Sequence, residues 1–158
     1  MRPWTETYAP QTTSQIVGHD TELSHLAEMI KKKRPVLLCG PAGVGKTATV
    51  HALAHDLGYD VVEVNASDVR NADHVQRVVG GALQQASLFA KGRIILVDEL
   101  DGISGNEDRG GITALQMLLD QGGHAVVLVA NDPWDTRFST LRKKCGLIEF
   151  KKVRAESI

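Results

Sequence analysis

The run Gly40-Pro41-Ala42-Gly43-Val44-Gly45-Lys46-Thr47 decides the fold of this chain. It fits G-x-x-x-x-G-K-[ST], the phosphate-binding loop pattern. The apolar stretch Val36-Leu37-Leu38-Cys39 before it reads as a strand, and Ala48-Thr49-Val50-His51-Ala52-Leu53-Ala54 after it reads as a helix. Such a motif works only in that setting. Its glycines let successive backbone N–H groups face one point, and the start of the helix aims its positive dipole end there. Lys46 supplies an ammonium that reaches β- and γ-phosphates, and the Thr47 hydroxyl is placed to ligate Mg²⁺. A chance glycine-rich turn is the bland alternative. With glycine at roughly 7% of average composition, these constrained positions would coincide in well under about 1% of chains this long. The run therefore predicts a nucleoside triphosphate site.

The rest of the chain fits one compact domain. Its 158 residues suffice for a real core but not for two domains of ordinary size. Aromatic residues are only 4%, so the core must be built from Val, Leu, Ile and Ala. The formal net charge of −1 gives no global attraction to nucleic acid or membrane, so any DNA contact must be local or shared with partner chains. Cys39 and Cys145 read as reduced, buried thiols, because nothing suggests a secreted disulfide scaffold. The N-terminus is polar without a signal-like apolar run, and no stretch is long and apolar enough to span a bilayer. The expectation is an intracellular, soluble protein: cytoplasmic, or nuclear in a eukaryote.

Apolar runs and helical patterns alternate from residue 20 onward. Asp20 is expected to cap a helix over 21–33 with Leu23, Leu26, Ala27 and Ile30 on one face. The helix after the loop should run to about Leu57 and stop at Gly58. Further strands are read at Val61–Val64, Ile94–Val97, Ala125–Ala130 and Leu147–Phe150. Helices are read over 72–88, carrying Val75, Val78, Val79, Leu83 and Leu88, and over 111–120, carrying Leu115, Met117, Leu118 and Leu119 as core. Continuous apolar strands separated by helices imply an α/β fold, a parallel sheet covered on both faces in three layers. The opening from Pro3 to Ser14 reads as an extended arm over the domain.

Two more stretches complete a site. Ile94-Ile95-Leu96-Val97-Asp98-Glu99 is a strand closed by two acids, the Walker B pattern. Beside a P-loop, Asp98 is placed to hold the Mg²⁺ shell, through water, and Glu99 to orient and deprotonate an attacking water. Asp101 is near, but its spacing gives it a turn role. The fourth strand ends in Ala130-Asn131-Asp132, and a polar residue there falls on the ligand-binding edge of a parallel sheet. Asn131 can hydrogen-bond both the γ-phosphate and the lytic water, although Asn-Asp-Pro is equally a good turn signal.

Together the P-loop, Asp98-Glu99, Asn131 and the upstream Val17-Gly18 resemble the core of an AAA+ ATPase. Trp4-Thr5-Glu6-Thr7-Tyr8-Ala9-Pro10 resembles the amino-terminal W-x-E-K-Y-R-P box of clamp-loader subunits. Asn65-Ala66-Ser67-Asp68, Asp98-Glu99-Leu100-Asp101-Gly102 and Val129-Ala130-Asn131-Asp132-Pro133 resemble the replication factor C large subunits, particularly the archaeal ones. The resemblance covers residues 3–153. It implies a P-loop NTPase core with a five-stranded parallel sheet in the order 5-1-4-3-2, spanning residues 1–153 with an arm at 1–19. Residues 154–158 would enter a helical lid that does not follow. It implies ATP and Mg²⁺ as ligands: Tyr8, Pro10, Val17 and Gly18 around the adenine, and Gly43, Val44, Gly45, Lys46, Thr47 and Ala48 around the phosphates. Thr47 and Asp98 would hold the metal; Lys46, Glu99 and Asn131 would be catalytic, with Asn131 as sensor one. The implied activity is ATP-driven loading of a sliding clamp onto primer–template DNA in replication, with clamp-loader small subunits as ring partners.

The match departs at three places. Thr7 and Ala9 stand where Lys and Arg are common in the first box, so a guanidinium near the nucleotide is missing. Lys143-Lys144-Cys145 stands where small subunits carry Ser-Arg-Cys, whose Arg is a finger into the neighbour's ATP site; a lysine lacks that planar fork, so this chain is expected to supply no finger. Without a lid, neighbour or collar, hydrolysis by the isolated chain is expected to be very slow. The rival reading is a nucleotide-binding assembly module with little turnover of its own; another AAA+ DNA-processing ATPase is a third.

Weaker signals are weighed down by plainer accounts. His51 and His55 at i and i+4 have no third ligand, and Lys31-Lys32-Lys33-Arg34 complements a helix C-terminus. Arg70, Arg77, Lys91 and Arg109 are candidates for a DNA-facing surface, and the Gly-rich loop 101–111 for a segment that orders on binding.

Overall fold

A computed structural model describes residues 9–69, 72–85, 89–103 and 109–153, with the side chains of 72, 82, 83, 85 and 109 outside the description. Five strands form one parallel sheet: β1 (Val36–Cys39), β2 (Tyr59–Asn65), β3 (Gly92–Asp98), β4 (Ala125–Ala130) and β5 (Gly146–Glu149). Their spatial order is β2-β3-β4-β1-β5, the expected 5-1-4-3-2 read from the other edge. Among the described residues, helix α1 (Asp20–Lys31) precedes them, and α2 (Lys46–Leu57), α3 (Ala72–Gln85), α4 (Arg109–Gln121) and the short α5 (Ser139–Lys144) lie between them.

The central strands β1 and β4 are apolar throughout because both faces are covered, and period-2 alternation divides the sheet's apolar side chains between two cores. Leu37, Val62, Val64, Ile95, Val97, Val126 and Leu128 meet Val75 and Val79 of α3, Leu115 and Leu118 of α4 and Leu141 of α5. Val36, Leu38, Ile94, Leu96, Val127, Val129 and Ile148 meet Leu26 and Ile30 of α1 and Val50 and Leu53 of α2. Three layers follow from that division. Leucines, valines and isoleucines supply most of it; Phe138 and Phe150 are the aromatic residues wholly buried.

The structure corrects several local expectations. Asp20 is the first residue of α1, not its cap; His19 holds that position and makes no side-chain capping bond. Helix α4 begins at Arg109, two residues early, and α5 went unread because its basic hexapeptide has a single wholly buried residue, Leu141. Met117 is 46% exposed on α4, unlike its buried neighbours Leu115, Leu118 and Leu119. Gly58 ends α2 in the left-handed conformation as expected. Both cysteines are free thiols, and burial pushes Cys39 up to about 11 and Cys145 up to about 12. Trp4 to Tyr8 of the first box, Arg70, Leu88, the loop 104–108, and 154–158 lie outside the described residues, as do the side chains of Leu83 and Arg109.

Parallel strands end at one edge, and chain continuity there is tight. The Phe150 N–H donates to the Cys39 carbonyl at 2.7 Å, which lays the chain after β5 across the start of the P-loop. Gly40, at φ +145°, lies under it, and an added Cβ would sit 2.2 Å from the Phe150 carbonyl oxygen. Gly43, at φ +80°, faces open space. Gly40→Ala should therefore cost about 3 kcal/mol or more in urea unfolding, through backbone overpacking. Gly43→Ala should cost only the left-handed penalty of about 1–2 kcal/mol.

Candidate nucleotide-binding site

The P-loop begins where β1 ends and closes on Gly45, whose left-handed backbone (φ 85°) starts α2. Lys46 is the first residue of α2 and is 7% exposed. Its Nζ donates to the Gly40 and Pro41 carbonyls, each at 2.8 Å, and to Asn131 Oδ1 at 3.1 Å. Burial pulls this ammonium below the usual lysine value, while the carboxylates of Asp101 and Asp98 act in the opposite direction. The β1–β4 register sets Cys39 beside Ala130, which brings Asn131 level with the loop. With Oδ1 taken by Lys46, the amide Nδ2 is the donor that Asn131 can offer a phosphate.

Next to Lys46, the Thr47 hydroxyl donates to Asp98 Oδ2 at 2.8 Å. The other oxygen of that carboxylate accepts the Glu99 N–H at 2.8 Å. A hydroxyl and a carboxylate are hard oxygen donors of the kind Mg²⁺ takes alongside phosphate and water. Two such donors, Thr47 and Asp98, fit a Mg²⁺ that takes its other ligands from phosphate and water. When bound, it would offset charge on the phosphates.

Glu99 itself is exposed, and its backbone is left-handed at φ 54°, an unusual conformation for a non-glycine residue. Asn65 Nδ2, from the end of β2, donates to Glu99 Oε2 at 2.8 Å. Asn65 Oδ1 is fixed by the Ser67 N–H and hydroxyl, at 2.9 and 2.6 Å. The carboxylate is thus held by the edge of the sheet.

A cavity of about 460 Å³ opens beside the P-loop, within the range of ordinary ligand pockets. Ala42 to Gly45, Ala48 and Thr49 form one wall, and Pro10, Val17 and His19 another, with Lys152 and Val153 near by. Of the expected adenine-side residues, Pro10 and Val17 line it. Gly18 sits at φ +83°, and the Val153 side chain fills the space where its Cβ would be. The arm is pinned to α2 by Asp56, whose Oδ2 accepts from the Thr13 N–H and hydroxyl at 3.0 and 2.5 Å. Those bonds hold the Asp56 carboxyl below the usual range.

Four participants escaped the sequence reading. His19 is buried, stacked on Phe150 with ring centroids 4.5 Å apart, and Lys152 joins the same pocket. In the sequence Asn65 stands out only within the Asn-Ala-Ser-Asp stretch, and Asp101 only by its spacing. Asp101 lies in the 3-10 turn Leu100–Gly102, as expected, but it also accepts the Asn131 N–H at 2.6 Å and the Asp132 N–H at 3.2 Å. A carboxylate four residues into a strand-ending motif was the available signal. The weak candidates resolve plainly: His51 pairs with Glu63 at 2.8 Å and Lys32 with Glu28 at 2.5 Å. Lys144 pairs with Asp120 at 2.6 Å.

A glycine-rich loop at the end of a central parallel strand, with its lysine, threonine and facing acid in contact, defines a P-loop nucleoside-triphosphate-binding core. The chain belongs to the family described as "ATPase family associated with various cellular activities (AAA)", which it matches over residues 36–152. It is 44% identical over 157 residues to a replication factor C large subunit of Nanoarchaeum equitans, across 96% of this chain and 36% of that protein. The large subunit of Thermofilum pendens is 42% identical over 164 residues, across 99% of this chain and 40% of that protein. That of Methanopyrus kandleri is 41% identical over 182 residues, across 100% of this chain and 36% of that protein. The chain thus spans between 36% and 40% of the length of these relatives. The expected resemblance to this subunit is borne out by sequence comparison.

Thr47→Val, which keeps the shape and removes the hydroxyl, should weaken ATP binding about tenfold with Mg²⁺ present, the scale on which ligand-shell groups act. With EDTA in place of Mg²⁺ the two proteins should bind alike in a calorimetric titration.

Proposed function

We propose that this domain binds ATP and Mg²⁺ as the nucleotide-binding unit of a clamp-loader large subunit, acting in DNA replication. The observation that carries the nucleotide part is the meeting of Lys46, Thr47, Asp98 and Asn131 at one sheet edge beside the cavity. The resemblance to replication factor C large subunits carries the rest: small subunits as ring partners, a sliding clamp and primer–template DNA as what the ring acts on.

In this reading the P-loop N–H groups and Lys46 hold the phosphates. To do so the ammonium leaves the Gly40 and Pro41 carbonyls, trading two neutral acceptors for anionic ones. Thr47 and Asp98 would hold Mg²⁺, which would offset charge on the phosphates. Glu99 takes the proton of the attacking water once it parts from Asn65, and Asn131 presents Nδ2 to the γ-phosphate. Pro10, Val17 and Gly18 enclose the base, with Tyr8 as the expected companion.

Hydrolysis by this chain alone is slow in this account. Glu99 is held by Asn65. An arginine finger reaches a site from the neighbouring subunit and contributes roughly 10³–10⁵ in rate, so this site depends on a neighbour for turnover. The Asn65–Glu99 contact also favours the second reading, an assembly module for which ATP is mainly a structural ligand. Comparing turnover of the free chain with that of a ring assembled with small subunits separates them. A large gain on assembly supports the ATPase reading, and none supports the module.

Calorimetry of ATP and ADP with Mg²⁺ tests the site itself. Wild type should bind in the micromolar range, and Lys46→Ala should lose binding by at least about 100-fold, near 2.7 kcal/mol. Equal affinity in the two proteins would overturn the phosphate-binding role.

A further inference from the structure

The turn after Asp98-Glu99 contains an acid that neither the phosphate loop nor the proposed metal and base use. Asp101 reaches from the end of β3 to the end of β4. Each of its oxygens accepts one N–H: Oδ2 that of Asn131 at 2.6 Å, and Oδ1 that of Asp132 at 3.2 Å. These two N–H groups follow the last residue of β4, where the sheet no longer supplies partners. A carboxylate accepting two successive backbone N–H groups is a charge-assisted fork, stronger and more directional than neutral bonds. The next atom along is the Asn131 side chain, held through Oδ1 to Lys46 Nζ.

We infer that Asp101 is a positioning residue for the proposed ATP reaction: by clamping the Asn131 and Asp132 N–H groups it fixes where the Asn131 amide stands over the phosphate site. This inference rests on the nucleotide reading given above. Asp101 does not line the cavity; its charge favours the Lys46 ammonium, and its two hydrogen bonds reach the Asn131 and Asp132 backbone, through which it positions the amide. Its placement has a physical consequence. The turn carrying Asp101 begins one residue after Glu99, so the strand that presents the acids and the strand that presents the amide are joined by one carboxylate. A shift of Glu99 is then felt at Asn131 without any ligand between them.

The turn has a second tie that survives loss of Asp101. The Arg137 guanidinium donates to the Ile103 carbonyl, and Arg137 is in turn paired with Asp135 at 2.8 Å. Arg142 donates to the Pro133 and Asp135 carbonyls at 2.6 and 3.3 Å and stands 5.1 Å over the Trp134 ring. The 131–135 segment therefore stays attached in an Asp101 variant, and only its first two residues lose their acceptor. Asn in place of Asp keeps the size and one acceptor oxygen, but turns an NH₂ group toward the other N–H.

The test uses the full-length protein and begins without nucleotide. Amide hydrogen exchange at Asn131 and Asp132 should speed up about tenfold or more in Asp101→Asn, with exchange in the β4 core unchanged. Unchanged exchange at those two amides would overturn the inference, whatever the protein binds. The second arm is a double-mutant cycle on ATP turnover with Asn131→Ala. Asp101→Asn should lower kcat by about 10²-fold, the scale of a misplaced reacting group, while ADP affinity moves less than about threefold. Asn131→Ala should do the same, and the double variant should lose no more than either single one. Additive losses, or a parallel fall in ADP affinity, would mean that Asp101 acts on the fold at large, and would refute the positioning role. A wild type whose ADP binding is indifferent to Lys46→Ala would instead sink the nucleotide reading itself, and the positioning role with it.

Discussion

A buried ammonium organises this molecule's functional edge. An unpaired charge in the interior would cost several kcal/mol, so Lys46 must be surrounded by acceptors. The chain supplies them from two directions: carbonyls of its own loop, and the side chain of Asn131 from a strand 85 residues away. Those contacts tie the path of the loop to the β1–β4 register and to the direction in which Asn131 points. The neighbouring Thr47–Asp98 bond ties the same helix start to β3. Three strand ends are thereby drawn toward one point, which is where a parallel sheet presents its ligands.

The arrangement resembles a site held in waiting. Several groups that would meet a phosphate, a metal or a water already have protein partners. Carbonyl oxygens stand in for phosphate oxygens at Lys46, the Asp98 carboxylate takes the Thr47 hydroxyl proton, and an amide stands in for water at Glu99. Binding a nucleotide then exchanges these partners. Among the described residues no buried side-chain nitrogen or oxygen lacks a hydrogen-bond partner. The cost of holding the site in shape is correspondingly small.

Much of this was legible in the sequence, and for identifiable reasons. Buried parallel strands write continuous apolar runs, so Val36–Cys39 and Ala125–Ala130 were read with the bounds the structure gives them. The P-loop carries its own chemistry, since glycine, lysine and threonine are there for what they bind. What sequence could not give was side-chain pairing across strands. Asn65 and Glu99 are 34 residues apart, and Asp101 and Asn131 are 30 apart; only the sheet order makes them neighbours. His19 escaped because it is a buried ring in a short connection, where nothing periodic marks it. Met117 misled because the apolar stripe of α4 is wider than the face the sheet covers.

The account's central claim is that Lys46, Thr47 and Asn131 converge on the phosphates of one bound nucleotide. A crystal structure of the full-length protein with Mg²⁺ and a non-hydrolysable ATP analogue tests it most directly. The account predicts Lys46 Nζ and Asn131 Nδ2 within hydrogen-bond reach of the terminal phosphate, Mg²⁺ on Thr47, and the Gly40 and Pro41 carbonyls released. A nucleotide seated elsewhere, or a Lys46 still bonded to its own loop with the analogue in place, would contradict it.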